Sequence, residues 1–330
     1  MIRVNNIHLS LDYDDKSVRK AVAQQLRIEE KSIKSCKIFR RSVDARKKDS
    51  IYFLTTVDAE LNINEDKVCK KCGNAQIARK YEYNQMKFGN APSPIVVGAG
   101  PAGLFAALIL ARSGANPILI ERGRDVDRRT ADVNRFWTSG KLDITSNVQF
   151  GEGGAGTFSD GKLNSGTKDI RQRKVLEEFV SHGAPDEILY NAKPHIGTDM
   201  LKGTIKNIRN EIIELGGRVM FETKLVSMAF SDNKLKAITV ETANGDEILE
   251  TDNVILAIGH SARDTFEMLY DLKLPIEAKP FSVGARIEHL RQKVDKAQYG
   301  RFAGNKKLGS ANYKLSTHLD NGRGVYTFCM

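Results

Sequence analysis

Three glycines, Gly98, Gly100 and Gly103, followed 18 residues later by Glu121, are the positions whose spacing most directly implies chemistry. They follow the apolar run Ile95-Val96-Val97 and open an Ala/Leu-rich stretch that ends at Arg112. In such an order Gly98 permits a tight turn after a buried strand. Gly100 lets a diphosphate approach the main chain, and Gly103 lets a helix pack close to the sheet. Leu104 to Arg112 continues as a helix whose N-terminal amides face the phosphates. Pro117 to Glu121 reads as a second strand whose terminal carboxylate accepts hydrogen bonds from a ribose diol and repels a 2′-phosphate. The pattern implies an adenine dinucleotide. The segment Phe150-Gly-Glu-Gly-Gly-Ala-Gly-Thr-Phe-Ser-Asp-Gly-Lys-Leu163 holds five glycines in fourteen residues. Such backbone freedom is costly to order, which favours a ligand passing close to the main chain over a mobile surface loop.

Other chemical groupings are weaker. Cys69-Lys-Lys-Cys72 is a Cys-x-x-Cys, but no second pair or close His pair completes a metal site, so the reading is two cysteines one helical turn apart and no metal. No Ser-His-Asp order or His-Glu-x-x-His run supports hydrolysis. Arg40 to Lys48 is the densest basic run, and residues 1–92 carry 19 Lys and Arg against 12 Asp and Glu. A polyanion such as RNA could meet this surface, but no aromatic residues interleave with the charges, so the reading is a solvated strand and turn, with nucleic acid as the alternative. The four cysteines fit a reducing compartment. The start carries no basic segment followed by an apolar run, and the uncharged stretch from Phe88 to Ala111 is broken by prolines and glycines. The expectation is a cytoplasmic protein with no membrane partner.

The elements that must position these residues follow from periodicity. Residues 1–90 read as a small α+β domain of β-α-β-β-α order, compatible with a ferredoxin-like module, with Asn64 to Arg79 as its second helix. Linker composition from Phe88 to Pro94 marks the boundary. A dinucleotide-binding domain is assigned to 93–166 and 198–275, with a long loop from Gly123 to Gly166. Helices are expected at 169–182 and 198–215, and an antiparallel set of strands at 225–250 turns at Asn244-Gly245. Asn253 to Ile258 is a further buried strand, ending at Gly259-His260. A β-rich substrate domain is assigned to 167–197 and 276–330. The fold class is α/β, a Rossmann-like domain with a central parallel sheet plus the two appended domains.

Several segments together give the chain its resemblance. Gly98 to Gly103, Glu121-Arg122-Gly123, Phe150 to Leu163, Val254 to Asp264, Lys193 to Asp199, Lys279 to His289 and Val325 to Met330 resemble a largely uncharacterised family of FAD-dependent dehydrogenases, also described as NAD(FAD)-utilizing. Its members have a glutathione-reductase-type FAD fold behind a small N-terminal domain. The resemblance implies that Gly98, Gly100, Pro101, Ala102 and Gly103 contact the diphosphate of FAD, Glu121 and Arg122 the adenosine side, and Arg128 a phosphate or ribose. Gly153, Gly154, Ala155, Gly156, Thr157, Ser159, Asp160 and Lys162 would line the ribityl chain and flavin ring. Leu225 would meet adenine, and Gly259 would end the strand returning to the cofactor. Negative charge on a reduced flavin calls for a cation, for which Lys162, Arg286 and Arg263 are candidates, and His260 is a candidate for proton exchange. No dithiol occupies Gly154 to Thr157, and no separate nicotinamide-binding fingerprint is present, so NAD(P)H, where it reduces the flavin, would bind as a transient co-substrate. The resemblance also implies a C-terminally truncated chain, with Cys329 as half of a Cys-x-Cys. The small-molecule substrate and the oligomeric state stay open.

Overall fold

A computed structural model describes the chain except for residues 80, 90–91, 159–160, 164–166, 168 and 329–330. It divides into two compact units, Met1–Lys80 with Tyr190–Ala192 and Pro280–Met330, and Tyr81–Leu189 with Lys193–Lys279. Among the described residues, no helix is long and apolar enough to cross a membrane.

The first unit starts with β1 (Ile2–Leu9), α1 (Asp15–Leu26), β2 (Ile33–Asp44), β3 (Tyr52–Leu61), α2 (Glu65–Lys71) and β4 (Ala75–Ile77). The sheet order β2-β3-β1-β4, antiparallel throughout, is the split β-α-β arrangement. Alternation along the strands sends Ile2, Val4, Val57 and Ala59 to one face, where Val18, Val22 and Leu26 of α1 and Val68 of α2 cover them. Asp14 caps α1 by accepting the Ser17 amide at 2.7 Å. The second helix ends well before the expected Arg79. Residues 75–77 pair with the edge of β1 instead, which satisfies backbone groups that a longer helix would leave unpaired on that edge.

The second unit contains β5 (Ile95–Val97), α3 (Pro101–Arg112), β6 (Ile118–Ile120), α4 (Val126–Ser139), α5 (Gln172–Ser181), α6 (Thr198–Glu214), β7 (Arg218–Met220), β8 (Lys224–Ser231), β9 (Lys234–Thr242), β10 (Gly245–Glu250), β11 (Val254–Leu256) and α7 (Arg263–Asp271). A parallel sheet has the order β11-β5-β6-β7, and β10-β9-β8 form a separate antiparallel sheet. Val96 and Leu119 point into a layer with Leu104 and Leu108 of α3 and Ile205, Ile208 and Ile212 of α6. Ile95, Val97 and Ile120 point the other way, onto Leu225, Ile238, Val240 and Leu269. Each such burial contributes roughly 1.5–3 kcal/mol. The region expected to be one long loop holds α4. Asp125 caps it by accepting from the amides of Asp127 and Arg128, and Gly140 ends it in the left-handed region. Its fully buried apolar residues are only Val126 and Val133, too sparse to register as periodic.

After the second unit the chain returns with α8 (Arg291–Tyr299) and the pair β12 (Ser316–His318) and β13 (Gly324–Tyr326). The stretch 276–330 is therefore not purely β-patterned: Asp295 and Tyr299, one turn apart, are both buried. Tyr299 and Leu308 enter the core built on β1, β3 and α1. Residues 280–330 thus pack as one unit with the N-terminal module, whereas the sequence reading grouped them with 167–197.

Candidate functional site

In the parallel sheet the connections run from β5 through β6 to β7 on one side and return to β11 on the other. The strand order therefore reverses between β5 and β11, where open α/β sheets bind ligands at their carboxyl ends. A cavity of about 490 Å³ lies there, lined by the residues that follow β5, β6 and β11, by Gln149, Phe150, Gly151, Gly154 and Ala155, and by the start of β8. Gly98 has φ of 102° and donates its amide to Ile120 O at 2.8 Å. A Cβ at this position would lie 2.5 Å from the Ala257 carbonyl oxygen, and one at Gly103 only 1.7 Å from the Gly98 carbonyl oxygen. Gly100 is the N-cap of α3, Pro101 is its first residue, and no side chain caps it. The orphan amides of that first turn are therefore left for a ligand.

Glu121 lines the cavity but is 5% exposed. One carboxylate oxygen accepts the Ala99 amide at 2.7 Å, and the other accepts the amides of Gly123 at 2.9 Å and Gly151 at 3.0 Å. A carboxylate offers about four acceptor positions, so one is left for a ribose that would use two. Arg122 stacks over the Phe150 ring at 4.7 Å and donates to Asp264 and to Thr265 Oγ1. Lys224 pairs with the same Asp264. Burial pushes the Asp264 carboxyl up, but the bonds from Lys224 and Arg122 outweigh it and hold its pKa at about 2.

The structure separates two adjacent arginines. Arg128 points outward to Asp125 and Glu222. Arg129, fully buried, donates to the carbonyls of Asn147, Val148 and Glu152 and lies over the Phe158 ring. Burial lowers its pKa to about 10, with Glu121 and Glu152 pulling the other way, so it stays protonated at neutral pH. Sequence reading chose Arg128 and missed Arg129. A signal existed: Arg129 falls at i+3 from Val126 and four before Val133, on the buried stripe of α4. Glu152 is also fully buried, accepting from the Val126 amide and Arg209. Its burial raises its pKa despite those two partners.

The remaining expected site residues divide clearly. Gly98, Gly100, Pro101, Ala102, Glu121, Arg122, Gly154, Ala155, Leu225, Gly259 and His260 line the one cavity, together with Gln149 and Lys224, which sequence reading did not single out. Gly103 lies in the packing of α3 on the strand. Gly153 ties the loop to the turn through its amide on Ala99 O at 2.8 Å. Gly156 is exposed, and Thr157 is fully buried with no partner for its hydroxyl among the described residues. Lys162 is bridged through its main chain to His195, with Leu163 donating to Pro194 O and Ile196 to Gly161 O. Burial and the nearby Lys162 together lower the Lys193 pKa. The His260 ring Nδ1 lies 2.6 Å from Ser261 Oγ. Arg286 is exposed in the other compact unit and is not among the residues lining the cavity, and Arg263 is exposed at the start of α7. Ser159, Asp160 and Cys329 lie outside the described residues. In the first unit, Arg41 bonds to Tyr13 and Asn191 and Arg46 to Asp44, so part of the basic run is spent internally. Cys69, whose thiol burial raises, and Cys72 are partly buried against that unit's core. Among the described residues no cluster of potential metal ligands occurs.

Comparison with known proteins agrees with the cofactor that the resemblance implied. Residues 93–132 match the family model of an FAD binding domain, and residues 280–330 match that of an FAD-dependent protein, C-terminal domain-like. Residues 1–60 match a domain of unknown function. An uncharacterized protein of Clostridium beijerinckii is 45% identical over 335 residues, covering 100% of this chain and 62% of that protein. The chain thus spans about three-fifths of the length of this relative. Among solved structures, Thermovibrio ammonificans THI4 is 14% identical, covering 56% of this chain and 64% of that one, with a TM-score of 0.38. The 3-ketosteroid-Δ4-(5α)-dehydrogenase of Rhodococcus jostii is 15% identical, covering 50% and 45%, with a TM-score of 0.31. The cofactor is FAD.

Proposed function

We propose that this chain carries the cofactor-binding part of an FAD-dependent oxidoreductase that moves two electrons between a small-molecule substrate and the flavin, with NAD(P)H as a transient reductant. The observation that supports this best is the uncapped N-terminus of α3 opening, through Gly100 and Pro101, into the cavity where the strand order reverses. When bound, the flavin supplies hydride acceptance and donation, which no side chain of this protein provides. The residues around it bind and orient. The first-turn amides of α3 would hold the diphosphate, and Arg122, Lys224 and Leu225 would meet the adenosine end. Ala155 and the loop beyond it would run along the ribityl side, with Lys162 supplying positive charge for the reduced ring. His260, whose Nδ1 engages Ser261, keeps Nε2 for exchanging a proton at the cavity wall.

The test is reconstitution of the purified chain with FAD, followed by its visible absorption spectrum. Retained flavin bands after gel filtration support the reading; a colourless protein refutes it. Stopped-flow mixing with NADH and NADPH then shows whether the bound flavin bleaches. A flavin that neither reductant nor a panel of small-molecule donors can reduce would leave a binding protein without turnover.

A further inference from the structure

The loop whose Gln149, Phe150, Gly151 and Gly154 line the cavity is held by two buried charges of opposite sign, each taking one kind of backbone group. Arg129 collects carbonyl oxygens, those of Asn147, Val148 and Glu152. Glu121 collects amides, that of Gly151 in the loop, that of Ala99 in the first glycine turn and that of Gly123 after β6. Gly153 adds a direct bond from the loop to Ala99 O. The fit leaves no slack, because a Cβ on Gly151 would lie 2.4 Å from Arg129 Cδ, and one on Gly123 would lie 2.6 Å from Gly151 Cα. Charge-assisted bonds to buried backbone are the strong kind, and breaking one leaves an orphaned polar group in a dry site.

We infer that Glu121 and Arg129 are positioning residues that preassemble the wall of the cofactor cavity before the dinucleotide arrives, and that Glu121 meets the adenosine ribose through at most one acceptor position. This rests on the FAD reading above. It differs from a fingerprint acid whose carboxylate is spent on the ribose diol: there the apoprotein would not need the charge, whereas here its fold does. Glu121→Gln turns one acceptor oxygen into an amide donor facing main-chain N–H groups, and Arg129→Met keeps an unbranched apolar stem while deleting all three donations.

The measurements are made on flavin-free protein, by thermal unfolding and hydrogen–deuterium exchange of peptides covering 147–154. In the unsubstituted protein those amides should exchange slowly without FAD. Glu121→Gln should lower the flavin-free midpoint by roughly 5 °C or more, and both substitutions should speed exchange in 147–154 at least about tenfold. If Glu121→Gln leaves the flavin-free midpoint within about a degree while FAD binding weakens, the inference is wrong and the acid is a plain ribose ligand. Where a variant fails to fold, the unsubstituted protein still decides: fast exchange at 147–154 that becomes slow only on adding FAD would overturn preassembly. Failure of the FAD reading shows separately, as a colourless but normally protected protein.

Discussion

Gly100 and Gly103 sit within one helical turn, yet a methyl group at each has a different consequence. At Gly103 it would collide with the Gly98 carbonyl, so Gly103→Ala should cost about 3 kcal/mol or more and be read as a lowered urea midpoint. At Gly100 the nearest atom to a new Cβ is Gly154 Cα at 4.0 Å. Gly100→Ala should therefore fold with a midpoint within about 2 °C of the parent. The methyl nevertheless intrudes where the diphosphate approaches, so FAD titration should show at least about tenfold weaker binding. Loss of both properties together would refute the division of roles. Arg209 offers a pH-dependent case, because it is the charged partner of the buried Glu152. Burial already raises the Glu152 pKa, so its ionised form is the disfavoured one in the fold. Arg209→Met should cost about 3 kcal/mol at pH 8. That cost should shrink as the pH falls through the raised folded value, since Glu152 then takes up a proton and the unpaired charge disappears. Urea titrations at pH 8 and pH 5 with equal losses would contradict this.

At the scale of elements, α3, α5 and α6 are joined by one ion cluster. Arg112 bonds to Glu178 at 2.6 Å and Glu211 at 2.5 Å, and Lys174 also reaches Glu178. His182 Nδ1 lies 2.6 Å from the Glu178 carbonyl oxygen, and its Nε2 lies 2.8 Å from a Glu211 carboxylate oxygen, so the ring donates at both positions only when protonated. Burial pushes the Glu178 carboxyl up, but Arg112 and Lys174 more than reverse this, and the Arg112 bond lowers that of Glu211. Both folded pKa values are depressed. Their stabilisation is therefore complete above the unfolded value of about 4.3 and is lost as the pH falls through the folded values. Chemical unfolding followed from pH 7 to pH 3 should show this loss. Arg112→Met should abolish or reverse this loss and cost about 2–3 kcal/mol at pH 7, because the buried Glu178 is left with Lys174 as its one lysine or arginine partner among the described residues.

Across the whole molecule, the cavity belongs to one of the two compact units. Ligand at a hundred times its dissociation constant stabilises what it binds by about 2.7 kcal/mol. FAD should thus raise the calorimetric transition of the unit Tyr81–Leu189 with Lys193–Lys279 by roughly 5–10 °C. The transition of the other unit should stay in place. The sequence by itself determined the dinucleotide turn, the parallel strands that flank it, the antiparallel set at 225–250 and the β-α-β-β-α part of the N-terminal module without its last strand, because each is written in short-range periodicity and in glycines that only one backbone path requires. Tertiary structure alone decided that Glu121 turns inward to main-chain amides, that Arg129 rather than Arg128 grips the glycine-rich loop, and that 280–330 shares a core with the N-terminal sheet. Those outcomes depend on which backbone groups from distant segments are left unpaired in the same buried space, a quantity that no local pattern of side chains records.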